Sequence, residues 1–177
     1  MKRLLAGLAL AVAIAAPAYA ALQPGAVAQD FTVKAALAGA ETNFNLKQAL
    51  TKGPVVLYFF PAAFTAGCTL EANLFAEATA EFAANGATII GVTSGNIERV
   101  AEFSKLECRD KFAVAADPGA AIARSFDAVN PGNPERSSRT SYVIGRDGKV
   151  LYTLTDPAAP NHVNGTMAAV KAARARG

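Results

Sequence analysis

A short apolar run followed by a longer amphipathic segment is the recurring pattern in the middle of this chain. Residues 55–60 are continuously apolar, β-branched or aromatic, as in a strand buried on both faces of a sheet. Residues 64–84 then carry apolar side chains at every fourth position, which predicts a helix with a buried stripe of Leu70, Leu74, Ala78 and Phe82. The pattern returns in a predicted strand over 88–92 and a predicted helix over 97–107, with Asn96 as its N-cap.

The flanking segments add further strands to this sheet. Short strands are predicted at residues 31–33 and 44–46, on either side of a turn at Gly39. The remaining predicted elements are a strand over 112–115, a helix from Asp117 to 126, a loop over 130–134, a hairpin of strands 141–144 and 150–154 that turns at Asp147-Gly148, and a last helix over 163–174. This order predicts an α/β fold with a central mixed β-sheet and helices on both faces.

The first twenty residues have the pattern of a secretory signal peptide. Lys2 and Arg3 precede an uncharged run of about 13 residues, and small residues follow at the positions that a signal peptidase inspects. We expect cleavage after Ala20, which leaves residues 21–177 as a single domain in the periplasm or secreted, with no membrane attachment after processing. The alternative is a short N-terminal anchor helix, although the run is shorter than a usual membrane span.

Composition narrows the classes of function. Of the net charge of +3, the two basic residues of the signal account for +2, so the mature chain gives no ground for nucleic-acid binding. With two cysteines and one histidine, the chain has too few ligands for a disulfide-rich scaffold, a four-cysteine zinc site or a histidine-rich metal cluster. We therefore predict no metal and no cofactor.

The chemistry of the chain concentrates at Cys68, in the first turn of the helix that follows the 55–60 strand. Unpaired backbone N–H groups and the positive end of the helix dipole stabilise a thiolate there, and the thiolate is the reactive form of cysteine. Thr65 is placed to cap this helix or to meet a polar substrate, and Gly67 lets a ligand approach the backbone closely. The alternative interpretation is a small cysteine that packs beneath the helix.

Two motifs around Cys68 resemble those of a known family. Residues 61–68 read PAAFTAGC and fit the Pro-x-x-x-Thr-x-x-Cys signature of the peroxiredoxins. Residues 68–72 read CTLEA and resemble the Cys-Thr-x-Glu-Ala continuation of the bacterioferritin-comigratory (Q-type) branch of that family. Together they make a fairly specific signal, because the spacing of proline and threonine before a cysteine is seldom met by chance.

A second match lies downstream. Residues 139–144 (RTSYVI) and 147–150 (DGKV) resemble the Arg-x-Thr-Phe-hydrophobic pattern and hairpin of the peroxiredoxins, with Ser141 and Tyr142 in place of threonine and phenylalanine. The resemblance covers nearly all of the mature chain, from Gly25 to about residue 170. It implies a thioredoxin-like fold and the activity of a thiol peroxidase.

The resemblance also implies roles for individual residues. Cys68 would be the peroxidatic thiolate that attacks the peroxide and becomes a sulfenic acid. Arg139 would stabilise the thiolate and polarise the peroxide, Thr65 would hydrogen-bond the peroxide, and Pro61 would shield the sulfur. Glu71 lies off the predicted apolar stripe, and it belongs either to the polar network of this site or to the exposed face of the helix.

The chain departs from the family pattern at the resolving cysteine. Many Q-type members carry that cysteine five residues after the first one, where this chain has Asn73. Cys108, at or just past the end of the 97–107 helix, is our candidate resolving thiol. Two alternatives stay open: a permanent structural disulfide, which would stabilise an exported protein by about 4 kcal/mol, or a bystander thiol. His162, in a predicted loop, is interpreted as a surface or capping histidine.

We expect a hydroperoxide substrate, either hydrogen peroxide or a small organic hydroperoxide, and a thioredoxin-like or other dithiol reductant. The protein is expected to be a monomer or a homodimer. A thioredoxin-like disulfide exchanger is disfavoured because the chain has no Cys-x-x-Cys. The alternative from a different class is an exported redox sensor or binding module on a thioredoxin fold, with a structural disulfide and no peroxidase turnover.

Overall fold

The computed structural model describes residues 21–176, which contain nine strands and five α-helices. The signal-peptide prediction therefore lies outside the described residues. The strands are β1 (Thr32–Leu37), β2 (Ala40–Asn45), β3 (Val55–Phe60), β4 (Thr88–Thr93), β5 (Ala113–Ala116), β6 (Val129–Asn130), β7 (Asn133–Ser137), β8 (Thr140–Ile144) and β9 (Val150–Thr155). The helices are α1 (Leu46–Leu50), α2 (Ala66–Ala84), α3 (Val100–Leu106), α4 (Ala121–Ser125) and α5 (Ala159–Arg176).

Seven of the strands form one mixed sheet in the order β2-β1-β5-β4-β3-β8-β9. β3 pairs in parallel with β4, β4 pairs in parallel with β5, and every other pair in this sheet is antiparallel. All six residues of β3 are buried, as expected for a central strand that is covered on both faces. The predicted α/β class with a mixed sheet is confirmed.

The sheet separates two hydrophobic cores. On one face, α2, α3 and α5 cover alternate residues of β3, among them Val56, Tyr58 and Phe60. On the other face, α1 and α4 cover Leu57 and Phe59. Because the side chains of a strand alternate between faces, each core takes every second residue of β3. Within residues 21–176, no helix is long and apolar enough to cross a membrane.

Several predicted boundaries were wrong. The segment 130–134 is not a loop, because β6 and β7 pair there as a small separate hairpin. Residues 97–107 form a 3₁₀ turn (Ile97–Arg99) followed by α3, and the Asn96 side chain does not cap it but donates to the Ala63 carbonyl at 2.7 Å. The Asn96 side chain, which the local sequence would assign to a helix cap, therefore bonds a carbonyl that is distant in the sequence.

The buried stripe of α2 was predicted only in part: Phe82 is buried as predicted, but Leu70, Leu74 and Ala78 are not among the buried residues. Leu70 is 49% exposed, whereas the buried residues of this helix are Cys68, Glu71, Ala72, Phe75, Ala76 and Phe82. Steps of three or four residues lead from Cys68 to Glu71 and Ala72 and on to Phe75 and Ala76, and Phe82 lies two turns after Phe75, so these residues share one helical face. The consequence for function is that Glu71 points into the protein together with Cys68.

Candidate active site

Cys68 is the third residue of α2, directly beyond the carboxyl end of β3. It is 2% exposed and is a free thiol. The backbone N–H groups of the first helical turn have no intrahelical acceptor, and the helix dipole places partial positive charge at this end. The location is therefore the electropositive first turn that the sequence predicted.

The loop between β3 and α2 is held in shape by the segment after β4. Phe64 has φ = 61°, a left-handed conformation that costs a non-glycine residue about 1 to 2 kcal/mol. Its ring packs edge-on against Phe103 of α3, with 5.1 Å between centroids, and Arg99 lies over the same ring. In addition, the Ala63 N–H donates to the Gly95 carbonyl at 3.1 Å. These contacts fix the loop that leads into the Cys68 turn.

Thr65 is the N-cap residue of α2 by position, but its hydroxyl makes no capping hydrogen bond within the described chain. The hydroxyl donates to the Ala62 carbonyl at 3.1 Å, and the residue is exposed. The capping role offered by the sequence is thus wrong, and the alternative, a hydroxyl available to a polar substrate, fits the position. Pro61 ends β3 and is partly buried in the same loop.

Arg139 reaches Cys68 from the start of β8, the strand that neighbours β3 in the sheet. It directly precedes β8, and β8 runs antiparallel to β3 with Phe59 opposite Thr140. This pairing brings Arg139 to the carboxyl end of β3, where its Nη2 donates to the Cys68 Sγ at 3.4 Å. A β-carbon on residue 67 would lie 3.0 Å from that Nη2, so Gly67 leaves the room that the guanidinium occupies.

Glu71 pairs with the same guanidinium. Its Oε2 accepts from Nη1 of Arg139, and the carboxylate is fully buried while the Arg139 side chain is 13% exposed. Burial outweighs the attraction of Arg139 and raises the pKa of Glu71 to about 8. Burial alone would lower the pKa of Arg139, but the charges of Glu71 and Cys68 raise it above its ordinary value. The guanidinium therefore stays charged whichever form Glu71 takes.

His162 is not a surface histidine, which corrects the sequence interpretation. It lies inside α5, fully buried, because that helix begins at Ala159 and not at 163. Its Nδ1 is 2.8 Å from the Ser141 hydroxyl and 3.8 Å from Oε1 of Glu71. The spacing of Glu71 three residues after Cys68 was a signal that both share a helix face, but nothing local marked His162 as their neighbour.

Cys108 lies just past the end of α3, as predicted, and it is a fully buried free thiol. Its N–H donates to the Phe103 carbonyl at 3.1 Å. Burial and the neighbouring Glu107 carboxylate raise the pKa of the Cys108 thiol well above its ordinary value. The Tyr58 hydroxyl lies beside this thiol and has no nitrogen or oxygen partner in residues 21–176. The thiol is protonated and shielded in this conformation.

Asn73 connects α2 to the segment that carries Cys108. Its Nδ2 donates to the Glu107 carboxylate at 2.8 Å, and its Oδ1 accepts from Arg109. Arg109 also pairs with Glu77, one turn further along α2, at 3.1 Å. The two residues that flank Cys108 are therefore both hydrogen-bonded to Asn73 of α2.

The chain matches the AhpC/TSA family model over residues 24–153. Peroxiredoxin Q, chloroplastic, of Gentiana triflora is 28% identical over 151 residues, which is 84% of this chain and 67% of that protein. Among solved structures, peroxidoxin BcpB from Mycobacterium tuberculosis has a TM-score of 0.76 and 29% identity, covering 85% of this chain and 97% of that one. Peroxiredoxin Q from Xanthomonas campestris has a TM-score of 0.68 and 26% identity, covering 80% and 91% of the two chains.

This protein belongs to the AhpC/TSA family of peroxiredoxins. Its fold is the thioredoxin-like fold of the peroxiredoxins, as the resemblance of its motifs implied. The protein is accordingly a thiol peroxidase, an enzyme class that acts on hydroperoxides with thioredoxin-like reductants.

Proposed function

We propose that this enzyme reduces hydrogen peroxide or a small organic hydroperoxide at Cys68 and completes its cycle through a disulfide with Cys108. The observation that supports this most strongly is the geometry of the Cys68 sulfur. It lies in the first turn of α2, 3.4 Å from the permanently charged guanidinium of Arg139. A helix N-terminus and a fixed cation act together on the thiolate and on the anion that forms as the O–O bond breaks.

In the first step, the Cys68 thiolate attacks the terminal oxygen of the hydroperoxide. The O–O bond breaks, the sulfur is oxidised to a sulfenic acid, and the alkoxide or hydroxide leaves and takes up a proton as an alcohol or water. Arg139 carries the charge that stabilises this leaving anion. The exposed Thr65 hydroxyl is available to hydrogen-bond the peroxide, and Pro61 limits the access of water to the sulfur.

In the second step, the Cys108 thiol attacks the Cys68 sulfenic acid, which forms a disulfide and releases water. The neighbours of Cys108 bond to Asn73 and Glu77, which lie five and nine residues after Cys68 on α2. At a rise of about 1.5 Å per residue, these anchor points are roughly 7 and 14 Å along the helix from Cys68. We therefore expect the Cα atoms of Cys68 and Cys108 to be more than about 7 Å apart in the reduced protein. Disulfide formation then needs local unwinding of the first turn of α2, of the segment around Cys108, or of both.

The remaining parts of the proposal concern reductant and compartment. An external dithiol, of the thioredoxin type, would reduce the Cys68–Cys108 disulfide and return both thiols. The N-terminal sequence supports export to the periplasm or beyond, with cleavage after Ala20. Both cysteines would then work in an oxidising compartment, where a dedicated donor has to keep the cycle running.

The test is peroxide consumption by the purified mature protein with a dithiol reductant. The natural chain is expected to turn over, Cys68→Ser to be inactive, and Cys108→Ser to react once and then stall as a sulfenate. A Cys108→Ser protein that turns over at the natural rate with the same donor would remove Cys108 from the cycle. A Cys68→Ser protein that still consumes peroxide would remove the proposed function altogether.

A further inference from the structure

We propose that Asn96 is a positioning residue of the peroxide site: its side-chain amide holds the carbonyl of Ala63, and this contact fixes the turn that presents Thr65 to the substrate. This role rests on the proposed reaction of a hydroperoxide at Cys68. Asn96 lies outside the sequence motifs that mark Cys68 and Arg139, and its role comes from hydrogen bonds, backbone conformations and a close approach of two loops.

The loop that follows β4 binds Ala63 through both of its backbone polar groups. The Ala63 N–H donates to the Gly95 carbonyl at 3.1 Å, and Nδ2 of Asn96 donates to the Ala63 carbonyl at 2.7 Å. Within residues 21–176, the Ala63 carbonyl accepts no other hydrogen bond. Ala63 is fully buried, so the position of its carbonyl depends on this one amide.

The backbone at residue 96 explains why the donor is an asparagine. Asn96 has φ = 54° and ψ = 38°, in the left-handed region that glycine, asparagine and aspartate adopt most readily. Of these three, only asparagine has a side chain that donates to a carbonyl, because glycine has none and an ionised aspartate only accepts. The backbone conformation and the hydrogen bond together select asparagine at this position.

Gly95 allows the two loops to come together. A β-carbon on residue 95 would lie 2.6 Å from the Pro61 carbonyl oxygen and 2.8 Å from the β-carbon of Ala62, closer than side chains tolerate. The loop after β4 and the loop after β3 are therefore in direct backbone contact. A side chain at residue 95 would push them apart and break the hydrogen bond of Asn96.

The position of the Ala63 carbonyl passes to Thr65 through the chain between them. Phe64 follows Ala63 with φ = 61°, a strained conformation that persists only while its surroundings hold it. Thr65 comes next, and its hydroxyl donates to the carbonyl of Ala62 at 3.1 Å. The direction of the Thr65 hydroxyl thus depends on the peptide groups of residues 62 and 63, which Asn96 and Gly95 hold.

Loss of the Asn96 amide affects two reactions of Cys68 differently. Asn96 is itself exposed, so water replaces the amide, but a water molecule does not tie the Ala63 carbonyl to the loop after β4. The proposed reaction with peroxide uses the Thr65 hydroxyl, whereas an alkylating reagent needs only the thiolate and access to it. A residue that merely stabilised the fold would not separate these two reactions.

The test uses a Cys108→Ser background, so that only the first oxidation is observed. Asn96→Gly removes the amide and keeps a residue suited to the left-handed backbone. We expect the second-order rate of Cys68 oxidation by hydrogen peroxide, followed by rapid quenching and mass spectrometry, to fall about fivefold. The rate of Cys68 alkylation by iodoacetamide at the same pH should not fall. Asn85→Gly, the matched control, removes an amide bond of 2.8 Å to the Glu81 carbonyl at the far end of α2 and should change neither rate.

A double-mutant cycle shows whether Asn96 acts through Thr65. Thr65→Val removes the hydroxyl and is expected to lower the rate with peroxide about 10-fold by itself. In the Thr65→Val background, Asn96→Gly is expected to change that rate by less than about twofold, because the group that it positions is absent.

Three results would overturn the role of Asn96: an unchanged peroxide rate in Asn96→Gly, an equal fall in both reactions of Cys68, or a further loss of about fivefold in the Thr65→Val background. Each of them is distinct from failure of the proposed function. In all three, hydrogen peroxide still oxidises Cys68, whereas a Cys68 that peroxide leaves unmodified would remove the proposed reaction itself.

Discussion

Replacing Glu71 with glutamine changes a buried group that holds a proton in the folded protein and has lost it in the unfolded chain. Burial raises the pKa of this carboxyl from 4.5 to about 8 in the folded state. Between these two pH values unfolding therefore releases a proton, so the free energy of unfolding falls as pH rises. Glutamine has the same shape as the protonated acid and does not titrate, so this contribution disappears in the variant.

The magnitude follows from the linkage between protonation and stability. Each pH unit between the two pKa values is worth about 1.4 kcal/mol for one proton, so the range from pH 5 to pH 7.5 corresponds to about 3 kcal/mol. At the low end of this pH range, residue 71 of the folded protein is uncharged in both the natural chain and the variant. We therefore expect the free energy of unfolding of Glu71→Gln, relative to that of the natural chain, to rise by about 3 kcal/mol between pH 5 and pH 7.5.

The assay is urea unfolding at several pH values between about 5 and 7.5, with both proteins in a Cys68→Ser background so that no thiolate shares Arg139 with residue 71. His162 contributes a slope of the opposite sign, because burial lowers its pKa and stability rises as the unfolded chain loses that proton. It is present in both proteins, so the difference between them isolates Glu71. A difference that stays constant with pH would refute the buried, protonated state of Glu71.

Two further predictions follow from the contacts of Arg139 and Arg109, and a third follows from the N-terminal sequence. Arg139→Met is expected to slow the reaction with peroxide by about 100- to 1000-fold without unfolding the protein, measured by stopped-flow kinetics; an unchanged second-order rate would remove Arg139 from the site. Arg109→Ala removes the contacts to Asn73 and Glu77, and it should speed formation of the Cys68–Cys108 disulfide after peroxide is added, while the first oxidation keeps its rate. Disulfide formation that is slower than in the natural chain, or equally fast, would contradict the idea that the Arg109 contacts hold Cys108 away from Cys68. Mass spectrometry of the exported protein should find Ala21 at the N-terminus, and a mature form that retains Lys2 and Arg3 would contradict the predicted processing.

The parts of the fold that the sequence predicted well are those fixed by local patterns. β3 has the predicted bounds because six consecutive apolar residues can only be buried on both faces. The turn at Asp147-Gly148 follows from the conformations that glycine permits, and Gly148 has φ = 78°. Cys68 and Arg139 were predicted from motifs with fixed spacing, and the structure brings their side chains into contact.

The features that the sequence analysis missed or left open depend on contacts between distant segments. Glu71 faces the interior because Arg139, 68 residues later, provides a partner that apolar periodicity does not reveal. The Asn96 side chain is taken from the helix cap by a carbonyl 33 residues earlier. His162 is buried because Ser141 and the Asp156 carbonyl satisfy both of its nitrogens. A polar group can be buried when such partners exist, and a single sequence does not show them.

Identification of the sulfur that a peroxide oxidises tests the central proposal most directly. Reduced Cys108→Ser protein would be mixed with one equivalent of hydrogen peroxide, trapped with a reagent specific for sulfenic acids and digested for mass spectrometry. We predict one adduct per chain, on the peptide that contains Cys68, and no adduct in a matched Cys68→Ser protein. An unmodified Cys68 after the peroxide has been consumed, or an adduct in Cys68→Ser at Cys108, would contradict the assignment of Cys68 as the peroxidatic thiol.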